Sequence, residues 1–287
     1  MHFPDSELVL NDLGQVYHLG IFPENISHKI IVVGDQERVS LIGDFFDSIE
    51  FQFQHREFCT LTGLYNGKRL TIISTGIGTD NIDIVINELD ALVNIDFKER
   101  VPKNELVSLD IIRIGTCGIL QPEIPLHSYI LSTHALGLDN VAHFYPIDFS
   151  QEEIVLNNEI IQHLQLSDKI QPYVSKASSK LVLSLESVKT FKGVTVTSSG
   201  FYGPQGRSLR LGLKIESMND RLTTFRFKDH KITNFEMESS ALFALGKGLG
   251  HNCATICLGV ANRPNNEFSK GFSKEMDDLI RYVLDRV

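Results

Sequence analysis

KIIVVGDQER, residues Lys29–Arg38, decides the fold. Its first five residues form a short apolar run rich in β-branched side chains, which is the composition of a buried strand. Gly34 follows at once, and Arg38 stands at the start of a helix. A strand that ends on glycine and turns into a helix is the repeating unit of α/β proteins. Five more runs have the same strand character: Leu70–Ser74, Ile111–Ile114, Ser128–Thr133, Gly193–Ser198 and Ala254–Val260. Helical patterns separate them. In Asp80–Asn94, Ile82, Ile86, Leu89 and Val93 recur at spacings of three and four, so one stripe faces a core while Asp83, Glu88 and Asp90 face outward. Two more helices are expected, from Glu236 to about Gly248, stopped by the glycines of GKGLG, and over Ser273–Val287. The pattern implies a single-domain, three-layer α/β/α sandwich with a central mixed sheet over residues 1–287, with residues 1–16 as an N-terminal extension. Polar Val101–Leu109 reads as a surface excursion.

Composition narrows the function. Of 287 residues, 42% are hydrophobic and 22% charged, an ordinary globular balance. The net charge of -9 argues against a nucleic-acid backbone as partner, because phosphate neutralisation needs a lysine and arginine surplus. The opening MHFPDSELVLNDLG lacks a signal-peptide pattern, and no apolar run reaches the roughly 20 residues that span a bilayer. A cytoplasmic protein without membrane contact is expected. Cys59, Cys117, Cys253 and Cys257 form no CxxC pair and no zinc-finger spacing, so they are expected reduced and packed, with no metal.

Sheets of this kind bind ligands at the carboxyl ends of their strands. The polar exceptions collect there: Gly34-Asp35, Ser74-Thr75-Gly76, Gly115-Thr116, Ser199-Gly200-Phe201 and Asn262-Arg263 each follow an expected strand. Gly34 lets backbone N–H groups approach an anion and Arg38 can reach back to it; the plain alternative is a tight turn with a solvated arginine. Arg113, in IIRIGTCG, is a charge inside an apolar strand and must find a partner. With Arg38 and the Thr116 hydroxyl it would make a tetrahedral-oxyanion site, or it pairs with a core carboxylate. In NFEMES, Glu236 and Glu238 begin a helix on different faces, so one caps the helix while the other projects into the site, where a carboxylate can accept both hydrogens of a ribose diol. Helix-dipole complementation is the alternative for both. Met237 between them is as readily core as contact. In GFYGPQGR, Gly200–Arg207, the Gln205 amide both donates and accepts and Arg207 is a rigid fork of donors beside Phe201, which suits the edge of a pyrimidine base.

In the order VGDQERV, HREF, STGIG, IRIGTCG, GFYGPQGR and NFEMES, from Tyr17 to Arg263, the chain resembles the nucleoside phosphorylase family, in its uridine phosphorylase branch. The resemblance implies phosphate contacts from Gly34, Arg38, Arg113 and Thr116, joined by Arg56 from the HREF of a neighbouring subunit. It implies ribose contacts from Met237, Glu238 and the neighbour's His18, and a base pocket of Phe201, Gln205 and Arg207 with Arg263 near its lid. The homodimer would then be the minimum active unit, with a hexamer as the larger alternative. The activity implied is phosphorolysis of uridine, deoxyuridine or thymidine, with inorganic phosphate as co-substrate and no cofactor; the catalytic group is Arg113, Gln205, Arg207 and Glu238. A purine nucleoside phosphorylase of the same fold is the nearest alternative, and a non-catalytic nucleoside-binding subunit is the next. Purine-active relatives carry an aspartate after the last strand, where this chain has Ala261. Three further features depart from the family: Gly203 and Pro204 stand in swapped order, Cys117 replaces a threonine or serine, and Asn94–Asp110 is long. Glu57 is present, but Asn81 stands where relatives that bind a monovalent cation have serine, so no ion is assigned.

Overall fold

The computed structural model of the protein describes residues 2–167 and 169–287. In chain order the elements are β1 (Lys29–Val33), α1 (Gln36–Gly43), β2 (Ser48–His55), β3 (Phe58–Tyr65), β4 (Lys68–Ser74), α2 (Thr79–Asn94), β5 (Ile95–Asp96), β6 (Val101–Pro102), β7 (Asp110–Ile119) and β8 (Tyr129–Gly137). They continue through α3 (Gln151–Leu164), β9 (Tyr173–Lys176), α4 (Ser179–Leu185), β10 (Thr190–Thr197), α5 (Met218–Thr224), β11 (Arg226–Phe227), β12 (His230–Glu236), α6 (Ser239–Leu249), β13 (Asn252–Asn262), β14 (Glu267–Phe268) and α7 (Ser273–Leu284).

All but β5 and β6 join one mixed sheet, whose main path runs β11-β12-β10-β8-β13-β7-β1-β4-β3-β2. β1 lies between β4 and β7, parallel to both. It is buried on its two faces: Ile30 and Val32 pack into one core with α2 and α6, and Ile31 and Val33 into a second with α1, α4 and α7. Such a strand has no reason to alternate polar and apolar residues, which is why KIIVV reads as a continuous run. A third core joins α3 and α5 to β10 and β12. The expected α/β class and mixed central sheet are what the chain adopts.

The strands outrun their sequence signals. β7 extends to Ile119 and β13 to Asn262, so Gly115–Gly118 lie inside a strand rather than past its exit. The cause is non-local: besides its parallel place beside β10, β12 makes a short antiparallel pairing with β7, Asn234 opposite Ile119 and Phe235 opposite Gly118. The sheet thereby closes on itself through β7, β13, β8, β10 and β12. NFEMES is carried onto IRIGTCG.

Two further expectations change. The helix expected from Glu236 begins at Ser239, because Glu236 still belongs to β12. The Val101–Leu109 excursion contains β6, which pairs with β5 in a small hairpin whose turn anchors the N-terminal segment. There Arg100, at a left-handed φ of 54°, donates to the Phe3, Pro4 and Leu8 carbonyls at 2.8, 3.1 and 2.5 Å, while Leu8 and Val16 enter the α2–α6 core. Bonds from a charged donor contribute about 1.5–3 kcal/mol each at most, and less where water competes. Arg100→Ala should therefore lower unfolding stability by about 1–3 kcal/mol and speed amide exchange over residues 2–16, read by urea denaturation and hydrogen-exchange mass spectrometry.

Candidate active site

β7 delivers Arg113 into the region where the sheet closes. The residue is 5% exposed. Gly115 makes its side-chain course possible, since a Cβ there would sit 2.0 Å from an Arg113 guanidinium nitrogen. Arg113 Nη2 donates to Glu238 Oε2, Nη1 lies 3.6 Å from Glu236 Oε2 and 3.6 Å from Cys257 Sγ, and Nε has no hydrogen-bond partner among the described residues. Burial works against the guanidinium charge, but the Glu238 and Glu236 carboxylates outweigh it, and its pKa stands above the ordinary arginine value.

Glu236 and Glu238 divide their work. Glu236 Oε2 accepts the Glu238 and Ser239 N–H groups, both at 2.9 Å, and Oε1 accepts the Thr197 hydroxyl at 2.5 Å. It thus satisfies donors at the start of α6 from outside the helix. Burial raises its pKa, against the pull of Arg113. Glu238, at the N-cap position, accepts the Gly78 N–H at 2.9 Å besides the Arg113 bond. The alternative of Arg113 paired with core carboxylates is therefore realised, and the same side chain still lines the cleft.

That cleft has a volume of about 450 Å³. Gly34, Arg38, Arg113 and Thr116 meet in it with Phe201, Gln205, Arg207, Met237 and Glu238. Arg38 has no ion-pair partner among the described residues. Burial and then the neighbouring Arg113 charge lower its pKa, with Asp35 opposing. Two cations held this close form a place for an anion. In the loop Gly200–Arg207, Arg207 lies 3.7 Å above the Phe201 ring and donates to the Phe201 carbonyl and to Gln205 Oε1, both at 2.6 Å. Gln205 Nε2 and Arg207 Nε and Nη2 remain without hydrogen bonds among the described residues. Burial and the Arg263 charge bring Arg207 down to about 10, so it is still a cation at neutral pH.

A family model described as the phosphorylase superfamily matches residues 28–287. The chain belongs to the phosphorylase superfamily. It is 28% identical over 275 residues to a uridine phosphorylase of Thermococcus kodakarensis, covering 95% of this chain and 87% of that one. With a uridine phosphorylase of Haemophilus influenzae the identity is 30% over 258 residues, 88% of each chain. The structure superposes on a Trypanosoma brucei nucleoside phosphorylase, described as showing uridine phosphorylase activity, with a TM-score of 0.89 and 29% identity, over 98% of this chain and 100% of that one. The resemblance carried by the six motifs is borne out.

Not every expected residue of this superfamily member reaches the cleft. Arg263 is not among the residues that line it and donates to the Gly206 carbonyl at 3.2 Å. His18 and Arg56 do not line it: His18 is half-buried with its Nδ1 2.7 Å from Glu88 Oε1, and Arg56, exposed and at a left-handed φ of 54°, sits 5.5 Å from the Tyr17 ring. Cleft residues that the motifs did not assign include Ile77, Cys117, Phe235 and Phe268. Ile77 lies within STGIG and is 70% exposed, a signal of an apolar wall; Phe268, on the short β14, carries no local signal.

Glu236→Ala would remove the acceptor of two α6 donors and one of the carboxylates facing the Arg113 charge, so a loss of about 3–5 kcal/mol is expected in urea unfolding. Glu236→Gln should lose less. Because its folded pKa is raised, the folded chain binds that proton more tightly than the unfolded chain, so the Glu236 contribution is full below the ordinary glutamate pKa and declines as pH rises through the raised value. Glu236→Gln should flatten that slope.

Proposed function

We propose that the chain is an enzyme, a pentosyltransferase that cleaves uridine with inorganic phosphate to give uracil and α-ribose 1-phosphate, in cytoplasmic pyrimidine salvage. The observation that carries this reading is Arg38, without an ion-pair partner among the described residues, beside Arg113 in the same cleft as the Gln205–Arg207 donor pair. Glu238, already touching Arg113, is the carboxylate available to the sugar. The relatives named uridine phosphorylase support the same substrate class.

Breaking the glycosidic bond develops positive charge on the sugar and negative charge on the departing base. In this proposal phosphate, held by Gly34, Arg38, Arg113 and Thr116, attacks C1′ while its charge stabilises the oxocarbenium-like sugar. Glu238 and Met237 position the ribose, which turns the encounter into an oriented displacement. Gln205 and Arg207 hold the uracil edge over Phe201 and stabilise the leaving anion, an interaction that strengthens toward the transition state. Ala261 lines the cleft where a purine enzyme would need an acid to protonate N7, and alanine has no proton to give. No covalent enzyme intermediate and no cofactor is needed.

His18 and Arg56 fit this scheme through a second copy of the chain, each completing the neighbour's site. A homodimer is then the smallest active unit.

The direct measurement is release of free base from uridine, thymidine, inosine and adenosine with and without phosphate. Uridine should be cleaved in phosphate only, and rapid cleavage unchanged by added phosphate would remove phosphorolysis. Arg207→Ala should lower kcat/KM for uridine by about 100-fold or more, the usual scale for losing one donor to a developing anion. Arg56→Ala and Arg113→Ala chains, each impaired alone, should recover activity when mixed and allowed to exchange. No recovery in verified mixed dimers would count against the shared site.

A further inference from the structure

The Glu238 carboxylate is already heavily engaged by the protein itself. Oε1 accepts the Gly78 N–H at 2.9 Å, while Oε2 accepts the Met237 N–H at 3.2 Å and Arg113 Nη2. An ionised carboxylate offers about four acceptor positions, so three protein donors leave about one. A vicinal diol brings two O–H donors. Room for both requires one protein donor to leave, and two of the three are backbone groups, Gly78 ahead of α2 and Met237 between β12 and α6. Arg113 is the one that can move.

It cannot move to nothing. At 5% exposure, with Nε without a hydrogen-bond partner among the described residues and the Glu236 and Cys257 contacts both long at 3.6 Å, Arg113 would become a poorly paired buried charge on release. An oxyanion seated beside Arg38 supplies the replacement partner. Glu236, pinned by two backbone N–H groups and Thr197, stays behind as the fixed counter-charge that holds the guanidinium in register.

We propose that Arg113 is a shared donor: its transfer from Glu238 to a bound tetrahedral oxyanion frees the carboxylate for a vicinal diol, so each ligand tightens binding of the other, with Glu236 as the positioning residue. This rests on the reading of Glu238 as the diol acceptor and of Arg38 and Arg113 as the anion site, and adds a coupling between them. Linkage makes the factor equal in both directions.

Isothermal titration calorimetry of the full chain tests it, with sulfate as a tetrahedral oxyanion that does not react. At matched ionic strength, saturating sulfate should tighten uridine binding over chloride by at least about 5-fold, and saturating uridine should tighten sulfate by the same factor. 2′,3′-Dideoxyuridine, which keeps the base and lacks the diol, should bind almost equally in the two media. Glu238→Gln, whose amide is no counter-ion for Arg113, should bind sulfate several-fold tighter than the parent and show no coupling. Uridine affinity indifferent to sulfate, equal sulfate dependence for the dideoxy compound, or weaker sulfate binding by Glu238→Gln would each overturn the proposal. Phosphate-dependent uridine cleavage without coupling sinks this inference alone; uridine that neither binds nor is cleaved sinks the functional reading with it.

Discussion

A buried arginine charge is the constraint to which the rest of this structure answers. Arg113 stands in the middle of an apolar strand and needs compensation, because an isolated buried charge is costlier than any local packing gain could offset. The compensation comes from far away in sequence, from Glu236 and Glu238. To bring them there, β12 pairs with β7 and closes the sheet, and Gly115 gives up its side chain so that the guanidinium can lie across it. Fold closure and site assembly are the same event.

The cleft also concentrates charge against the character of the whole molecule. The chain carries a net charge of -9, yet Arg38, Arg113 and Arg207 line one cavity, and Arg263 is near enough to act on the Arg207 charge. Their mutual repulsion contributes to the lowered pKa values of Arg38 and Arg207, through Arg113 and Arg263 respectively. A site that holds like charges together in this way is poised for small anionic or electron-rich ligands, while the acidic exterior disfavours polyanions such as nucleic acid. Local field and net charge thus select different things.

Much of this was legible in the sequence because it is written locally. KIIVV is a strand in the structure over the residues its composition implies, and the periodic stripe of Asp80–Asn94 is helix α2, extended by one residue. Nine of the expected residues do meet in the cleft, because chain reversals after β1 and β10 put their loops at one end of the sheet. Where the structure departs from the local signals, distant partners decide. The length of β7 beyond Ile114 comes from pairing with β13 and β12, and residues such as Gly115 and Gly118 have no strand preference of their own. Glu236 has helix-compatible chemistry and sits before a helical pattern, but its backbone is held in β12 by pairing with β10. Phe268 reaches the cleft on a two-residue strand, too short for any periodic signal.

By itself, then, the sequence determined the α/β class, the principal strands and helices, and the polar residues that stand at strand ends and line the cleft, since composition and spacing act through neighbours a few residues apart. Only the tertiary structure decided how those groups share partners: that Arg113 is held by Glu238 and faces Glu236, that Glu236 caps α6, that Arg38 has no ion-pair partner among the described residues, and that His18 and Arg56 stand outside the cleft. Charge pairing acts over ångströms in space, and a chain does not disclose those distances until it has folded.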